Sequence, residues 1–252
     1  MDSILQNFFD FGQMGQTVGP LISYGIRNTL FLAIAASVIG IVIGMVLALM
    51  GLSHRWWLKA PARVYTDVFR GLPAVVVILL IGQGLYSLGV PGISGSPYPL
   101  GITALGLMAG AYIGEILRSG IQSVEKGQGE AARALGLSHS KSMRLIVVPQ
   151  GVRRVLPALV NQFIGIIKDS SLVYFLGLVM TEREIFRIGQ EQAVASGNLS
   201  PLVAAGIAYL ILTVPLTHLV NYIDKRLRDG GDVAGTSLDP VADPVLVEGN
   251  TA

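Results

Sequence analysis

The 252-residue chain contains no cysteine. That excludes disulfides, thiolate metal ligands and thiol nucleophiles, and leaves the redox compartment open. Its three histidines, His54, His139 and His218, are scattered and do not have metal-ligand spacing. No G-x-x-x-x-G-K-[ST] stretch occurs, so the chain does not hold ATP in a P-loop of its own. A nucleophile elbow and a zinc helix are equally absent. Charge is scarce as well: Asp, Glu, Lys and Arg make up 13% of the residues, against about 25% in soluble domains. The net charge of +2 is too small to argue for nucleic acid. No basic residue precedes Arg27, so the positive head of a cleavable signal peptide is missing. The chain has no internal repeat, which weighs against an inverted-repeat secondary transporter.

Hydrophobic residues, by contrast, make up 52% of the chain, and the mean hydropathy is +0.61. Such a chain predicts an all-α integral membrane protein with room for about five spans of roughly 20 residues. The spans expected are Thr29 to Leu52, Leu72 to Leu88, Leu100 to Leu117, Val155 to Met180 and Pro201 to Ile223. Gly40 and Gly44 form a Gly-x-x-x-Gly pair suited to close helix packing. Met1 to Gly19 reads as a short interfacial helix or a loose terminus, and Ser53 to Arg70 as a polar connection with Trp56 and Trp57 in an interface belt. Residues 1–228 are expected to form the membrane domain and 229–252 a disordered tail.

Polar residues inside apolar runs mark the candidate path. Glu115 closes the third span with Arg118 three residues on, a spacing that favours an ion pair over direct ligand contact. Lys168 to Ser171 should break the fourth span, with Ser170 or Ser171 capping a short helix from Leu172 to Leu178. Asn161 and Lys168 share one helix face, and Gln162 and Asp169 another, both expected to look into the bundle.

The longest stretch without a spanning pattern is Gly129 to Gln150. Glu130 to Leu135 favour helix, Gly136 suits a left-handed cap, Ser138 opens a second helix and Pro149 is expected to stop it. Lys and Arg concentrate on one side: Arg55, Lys59 and Arg63; seven from Arg118 to Arg154; and Lys225, Arg226 and Arg228. By the positive-inside rule this stretch and the C-terminus face the cytosol and the N-terminus lies outside, which requires an odd number of spans.

The wording of that stretch resembles the cytoplasmic signature of permease subunits of ATP-binding-cassette importers. Glu130, Ala131, Ala132, Gly136, Ile146 and Pro149 keep its spacing, with Val148 where the family usually has Leu. Arg70-Gly71-Leu72-Pro73 is similar to the Arg-Gly-Thr-Pro of the polar amino-acid group, although Leu72 replaces the threonine. Lys168 to Leu172, and Ala111 to Arg118 around Glu115, also resemble that group. The resemblance implies a type I importer permease in the cell membrane, multi-pass, with the path formed between two such subunits, alike or paralogous. It implies docking of Glu130, Ala131, Ala132, Arg133, Gly136, Leu137, Ser138, Lys141, Ile146 and Pro149 on a separate ATPase present in two copies. It also implies delivery of solute by an extracytoplasmic binding protein, with ATP and Mg in the ATPase and no cofactor in this chain. Glu115, Asn161, Gln162, Lys168, Asp169 and Ser170 are the candidates for the substrate path. The alternatives are a proton-coupled secondary transporter using Glu115, Lys168 and Asp169, and a permease for another small solute such as methionine.

Overall fold

The computed structural model describes residues 6–92, 94–178 and 180–232, and the structure they form is helical throughout. Helix α1 (Phe11–Pro20) starts where the Asp10 carboxylate accepts hydrogen bonds from the Gly12 and Gln13 amides, at 2.8 and 3.1 Å. A π-helical turn, Leu21–Gly25, carries it without a stop into α2 (Ile26–Gly51). The two make one helical path, Gln6–Gly51. The N-terminal stretch therefore extends the first span instead of forming a separate helix.

Helix α2 packs along α5 (Pro97–Gln122), and glycines set the distance between them. A Cβ at Gly40 would stand 2.7 Å from that of Ala109, and one at Gly44 would stand 2.8 Å from the Gly114 backbone nitrogen. Gly106, Gly110 and Gly114 of α5 receive Ile39, Ile43 and Leu47 of α2 in turn. The small-residue pair thus joins two helices of the same chain, as expected of ordinary membrane packing. Gly101, Leu105 and Met108 on α5 are buried in the main core.

The stretch expected to be a polar connection is instead an amphipathic helix, α3 (Trp56–Gly71). Trp57, Val64, Val68 and Leu72 are exposed on one side, while Lys59, Arg63, Thr66 and Asp67 line a cleft on another. Pro73 ends it, and α4 (Ala74–Ser87) leaves at a bend of 111°. At 14 residues, α4 is about 21 Å long, short of an hydrocarbon core of about 30 Å. The second expected span is therefore a bent pair, α3 plus α4, with the geometry of a broken span or a re-entrant loop.

The fourth expected span is also shorter than its apolar run. Helix α9 (Leu156–Asp169) ends at the charged tetrad, as its cost in lipid predicts, and a 3₁₀ turn follows, Ser170–Leu176. Ser170 and Ser171 do not cap that turn. Their hydroxyls donate backward to the carbonyls of Ile167 and Lys168, each at 2.7 Å, satisfying the orphan end of α9. The turn packs Val173 against Gly101 of α5 and Leu176 against Gly82 of α4.

The polar segment from Thr181 to Ser200 contains α10 (Ile185–Ser196), whose Ile185 and Ile188 pack with Leu21 and with Ala204, Ala205 and Ala208 of α11 (Ser200–Asp232). Charges from Asp224 to Arg228 end the apolar part of α11 but not the helix, which runs on to Asp232. The tail from 233 to 252 lies outside the described residues. Among the described residues, three helical paths are long and apolar enough to cross a membrane, Gln6–Gly51, Pro97–Gln122 and Ser200–Leu227, and the bent pair α3–α4 makes up to four.

Candidate coupling knob and polar path

Beyond α5 the chain forms a small hairpin. Helix α6 (Lys126–Ala134) is followed by an elbow, then by α7 (His139–Ser142), a π-helical turn (Met143–Val147) and α8 (Val148–Arg154). Gly136 makes the elbow at φ +89°, a left-handed conformation that glycine enters without a Cβ penalty. The Gly136 amide donates to the Arg133 carbonyl at 2.9 Å, and the Leu137 amide to the Ala132 carbonyl at 3.2 Å, which finishes α6. Ser138 caps α7 through the Lys141 amide at 3.4 Å.

Pro149 does not stop the second arm. It falls in the first turn of α8, where its missing N–H is not needed, and the helix goes on to Arg154. The preceding π turn takes up the chain's change of path.

Ties across the hairpin hold it in one shape. Ser142 Oγ, in a buried side chain, donates to the Gly129 carbonyl at 3.2 Å. Gln150 Nε2 donates to Gln128 Oε1 at 3.2 Å, and Arg154 donates to the Ser123 carbonyl. Ala132 is buried on the inner side of α6, whereas Leu135 beside the elbow is 86% exposed. Glu130, Ala131, Lys141 and Pro149 are exposed, and Ile146 is partly buried. A rigid hairpin with one leucine offered at its tip is suited to being gripped by another protein.

The path candidates fall in two places. Glu115 binds Arg118 through both of its oxygens, Nε at 2.9 Å, and Arg118 Nη1 also donates to Gln122 Oε1 at 2.8 Å. The helical ion pair favoured by the spacing is present. This pair lines a cavity of about 240 Å³ between α2, α3 and α5. None of the α9 candidates lines it. On α9, Asn161 and Lys168 are exposed at the surface of the chain and do not look into its own bundle, because Ile164, Ile166 and Ile167 take the buried positions. Gln162 and Asp169 are half-buried beside them, and Ser170 is fully buried.

Two anchors were not singled out from the sequence. Asn28 donates its amide to the carbonyls of Thr181 and Arg183, at 3.0 and 2.9 Å, and Thr29 Oγ1 accepts from the Ile185 amide at 3.2 Å. Glu184 caps α10, its Oε2 accepting from Phe186 N at 2.5 Å and Oε1 from Arg187 N at 2.6 Å, while Tyr209 OH donates to Oε2 at 3.0 Å. Burial pushes the Glu184 carboxyl up to about 7, against the pull of those bonds. The one local signal was an acidic residue directly before an apolar i, i+3 pair, Ile185 and Ile188.

The family described as "binding-protein-dependent transport system inner membrane component" matches residues 40–229. The chain belongs to it. This inner membrane component is 34% identical over 209 residues to an arginine transport system permease protein of Bacillus subtilis, covering 83% of this chain and 93% of that one. To a glutamate/aspartate import permease protein of Escherichia coli it is 36% identical over 216 residues, 82% and 93% of the two chains. To the glutamine transport system permease protein of Escherichia coli K12 it is 32% identical over 223 residues, 87% and 98%. Among solved structures, a chain of an amino acid ABC transporter crystallised with histidines superposes with a TM-score of 0.72 at 34% identity, over 84% of this chain and 96% of that one. A methionine transporter chain in an inward-facing conformation, 18% identical, shares the fold with a TM-score of 0.65, over 82% of this chain and 94% of that one.

Proposed function

We propose that this chain is the membrane subunit of an ATP-driven importer for polar amino acids, worked by a separate ATPase through the hairpin from Gly129 to Gln150. The observation that carries the reading is the hairpin itself: a left-handed glycine elbow, cross-ties on both arms and an exposed Leu135. Stiffness of this kind is what a lever needs. The chain carries no P-loop, so the work comes from a partner that supplies ATP and Mg, and this chain is not itself an enzyme.

Two copies, or this chain and a paralogue, form the path between them. Helix α9 supports this arrangement: Asn161 and Lys168 are polar and exposed on a helix of a membrane protein, and a facing subunit or a wet path would receive them. A solute-binding protein delivers cargo from outside, and the hairpin and the basic end of α11 face the cytosol. The arginine, glutamate/aspartate and glutamine relatives support a polar amino acid as cargo. A proton-relay transporter is less well supported, because Glu115 is held by Arg118 in a cavity that neither Lys168 nor Asp169 lines.

Co-purification from the native membrane, followed by uptake of labelled amino acids into vesicles, tests the reading. The expected result is an ATPase in the complex and uptake that stops without ATP. Gly136→Asp is expected to leave insertion intact and to separate ATP hydrolysis from uptake. Solute carried by the purified chain alone would overturn the proposal.

A further inference from the structure

Helix α3 carries its charges on a single edge. Lys59, Arg63, Asp67 and Arg70 follow at spacings of four, four and three, which places them along one side of the helix. Over this stretch α3 rises about 17 Å. Lys59 lies near Gly51 and Gln122, where α2 and α5 end, and all three line the same cavity. Tyr65, further along α3, donates its hydroxyl to the Leu107 carbonyl at 2.8 Å, close to the midpoint of α5. The edge therefore reaches from the hairpin end of the bundle toward the middle of the membrane.

Charges at that depth face water or protein, not lipid. The other side of α3 is the lipid-compatible one, with Val64 and Val68 exposed. Of these charges only Arg70 joins α3 to α5. Arg118 is taken by Glu115, and the Arg70 guanidinium lies 5.6 Å over the Tyr112 ring. Lys59, Arg63 and Asp67 form no ion pair among the described residues, although Arg63 and Asp67 stand at pairing distance in sequence. Counting Lys59, Arg63, Arg70 and Arg118 against Asp67 and Glu115, the lining is cationic by two charges, with a free carboxylate among the cations. A dianionic phosphate would meet that carboxylate. A small zwitterion finds a partner for each of its ends, and a cavity of about 240 Å³ suits a solute smaller than drug-sized ligands.

We propose that the cleft between α3 and α5 is a station for the zwitterionic backbone of an amino acid on the hairpin side of the path, Lys59 and Arg63 taking the carboxylate and Asp67 the ammonium. The proposal rests on the importer reading above and adds a place and a chemistry to it.

The absence of cysteine makes the test clean. Thr66→Cys and Gln122→Cys, which line the cleft without serving as ligands, with Val64→Cys as the lipid-side control, are placed one at a time in the full chain. Each is reconstituted with its co-purified partners in vesicles and exposed to a membrane-impermeant methanethiosulfonate. Labelling at 66 and 122 is expected to run at least tenfold faster than at 64. L-arginine, L-glutamate or L-glutamine is expected to slow it at least threefold. The decarboxylated analogue agmatine, which keeps the amine and has no carboxylate, is expected to leave it unchanged. Rates equal to that of the Val64→Cys control overturn the proposal. So does labelling that no amino acid slows, or that slows only when phosphatidylglycerol is added, which would assign the cleft to a lipid headgroup. Wild-type uptake is measured beside these. ATP-driven uptake of an amino acid without protection sinks the station alone, whereas no uptake sinks the importer reading as well.

Discussion

Gly120 at the end of α5 and Gly151 in α8 meet backbone to backbone. A Cβ on Gly151 would lie 2.7 Å from the Ile121 Cα and 2.9 Å from the Gly120 carbonyl oxygen, and one on Gly120 would lie 2.7 Å from the Gly151 carbonyl oxygen. The returning arm of the hairpin is thereby pressed onto the helix at the centre of the core. No side chain separates the two backbones there.

Gly151→Ala puts a methyl group where only backbone can yield, and overpacking of that kind costs about 1–3 kcal/mol. Thermal unfolding in detergent is expected to show the loss, with uptake reduced more than ATP hydrolysis. Gly127→Ala is the control. It lies in α6 with nothing within 4 Å, so helix propensity predicts a neutral or slightly stabilising change. Equal behaviour of the two variants would dissolve the argument about contact.

Gly136 has open space around it, so its constraint is conformational, not steric contact. Alanine at φ +89° carries a left-handed penalty of roughly 1–2 kcal/mol. Asparagine tolerates that region better. Coupled uptake is expected to rank glycine, then asparagine, then alanine, measured as amino acid carried per ATP hydrolysed. Full coupling in the alanine variant would remove the elbow from the mechanism.

What could be read in the sequence was local. The left-handed cap at Gly136, the break after Asp169 and the small-residue pair Gly40 and Gly44 each announce themselves within a few residues, because turn chemistry and the cost of buried charge are short-range effects. The partner of Gly40 and Gly44 was not legible, nor was the contact between Gly120 and Gly151, since both depend on chain segments far apart in sequence. Pro149 misled because a proline that ends one helix is equally at home in the first turn of the next. In α3 the basic residues hid an apolar i, i+4 stripe, Val64, Val68 and Leu72. The positions in the hairpin came with the spacing of the resemblance, and the structure added how its arms are tied. Polarity and the resemblance point to the substrate-path residues, but neither says which of them share a cavity.

Glu184 predicts a pH dependence. Its side chain is 0% exposed, and burial raises its carboxyl from an ordinary 4.5 to about 7. The folded protein thus holds a proton there that the unfolded chain releases near pH 4.5, so the contribution to stability is full below that pH and is lost as pH rises through about 7. At about 1.4 kcal/mol per pKa unit, the swing is about 3 kcal/mol. Thermal stability in detergent is expected to fall between those pH values. Glu184→Gln, which imitates the protonated form, is expected to flatten the curve. A wild-type profile that rises over the same interval would contradict the assignment.

The contact between α2 and α5 is the last test, because the rest of the bundle is built against it. Gly44 faces Gly114 N, Ile113 Cγ2 and Gly110 O at 2.8, 2.9 and 3.1 Å from where its Cβ would be. Two of these three atoms are backbone, so the helices must separate to admit even one methyl group, and each contact above and below loosens with them. Gly44→Ala is expected to cost about 1–3 kcal/mol, and Gly44→Leu to prevent recovery of folded protein. Gly206→Ala in α11 has nothing within 4 Å and is expected to gain roughly 0.5–1 kcal/mol from helix propensity alone. Unfolding temperatures of the two alanine variants in one detergent separate close approach from propensity. If Gly44→Ala matched Gly206→Ala, the glycines of α2 would be incidental, and the spacing of the core would need another cause.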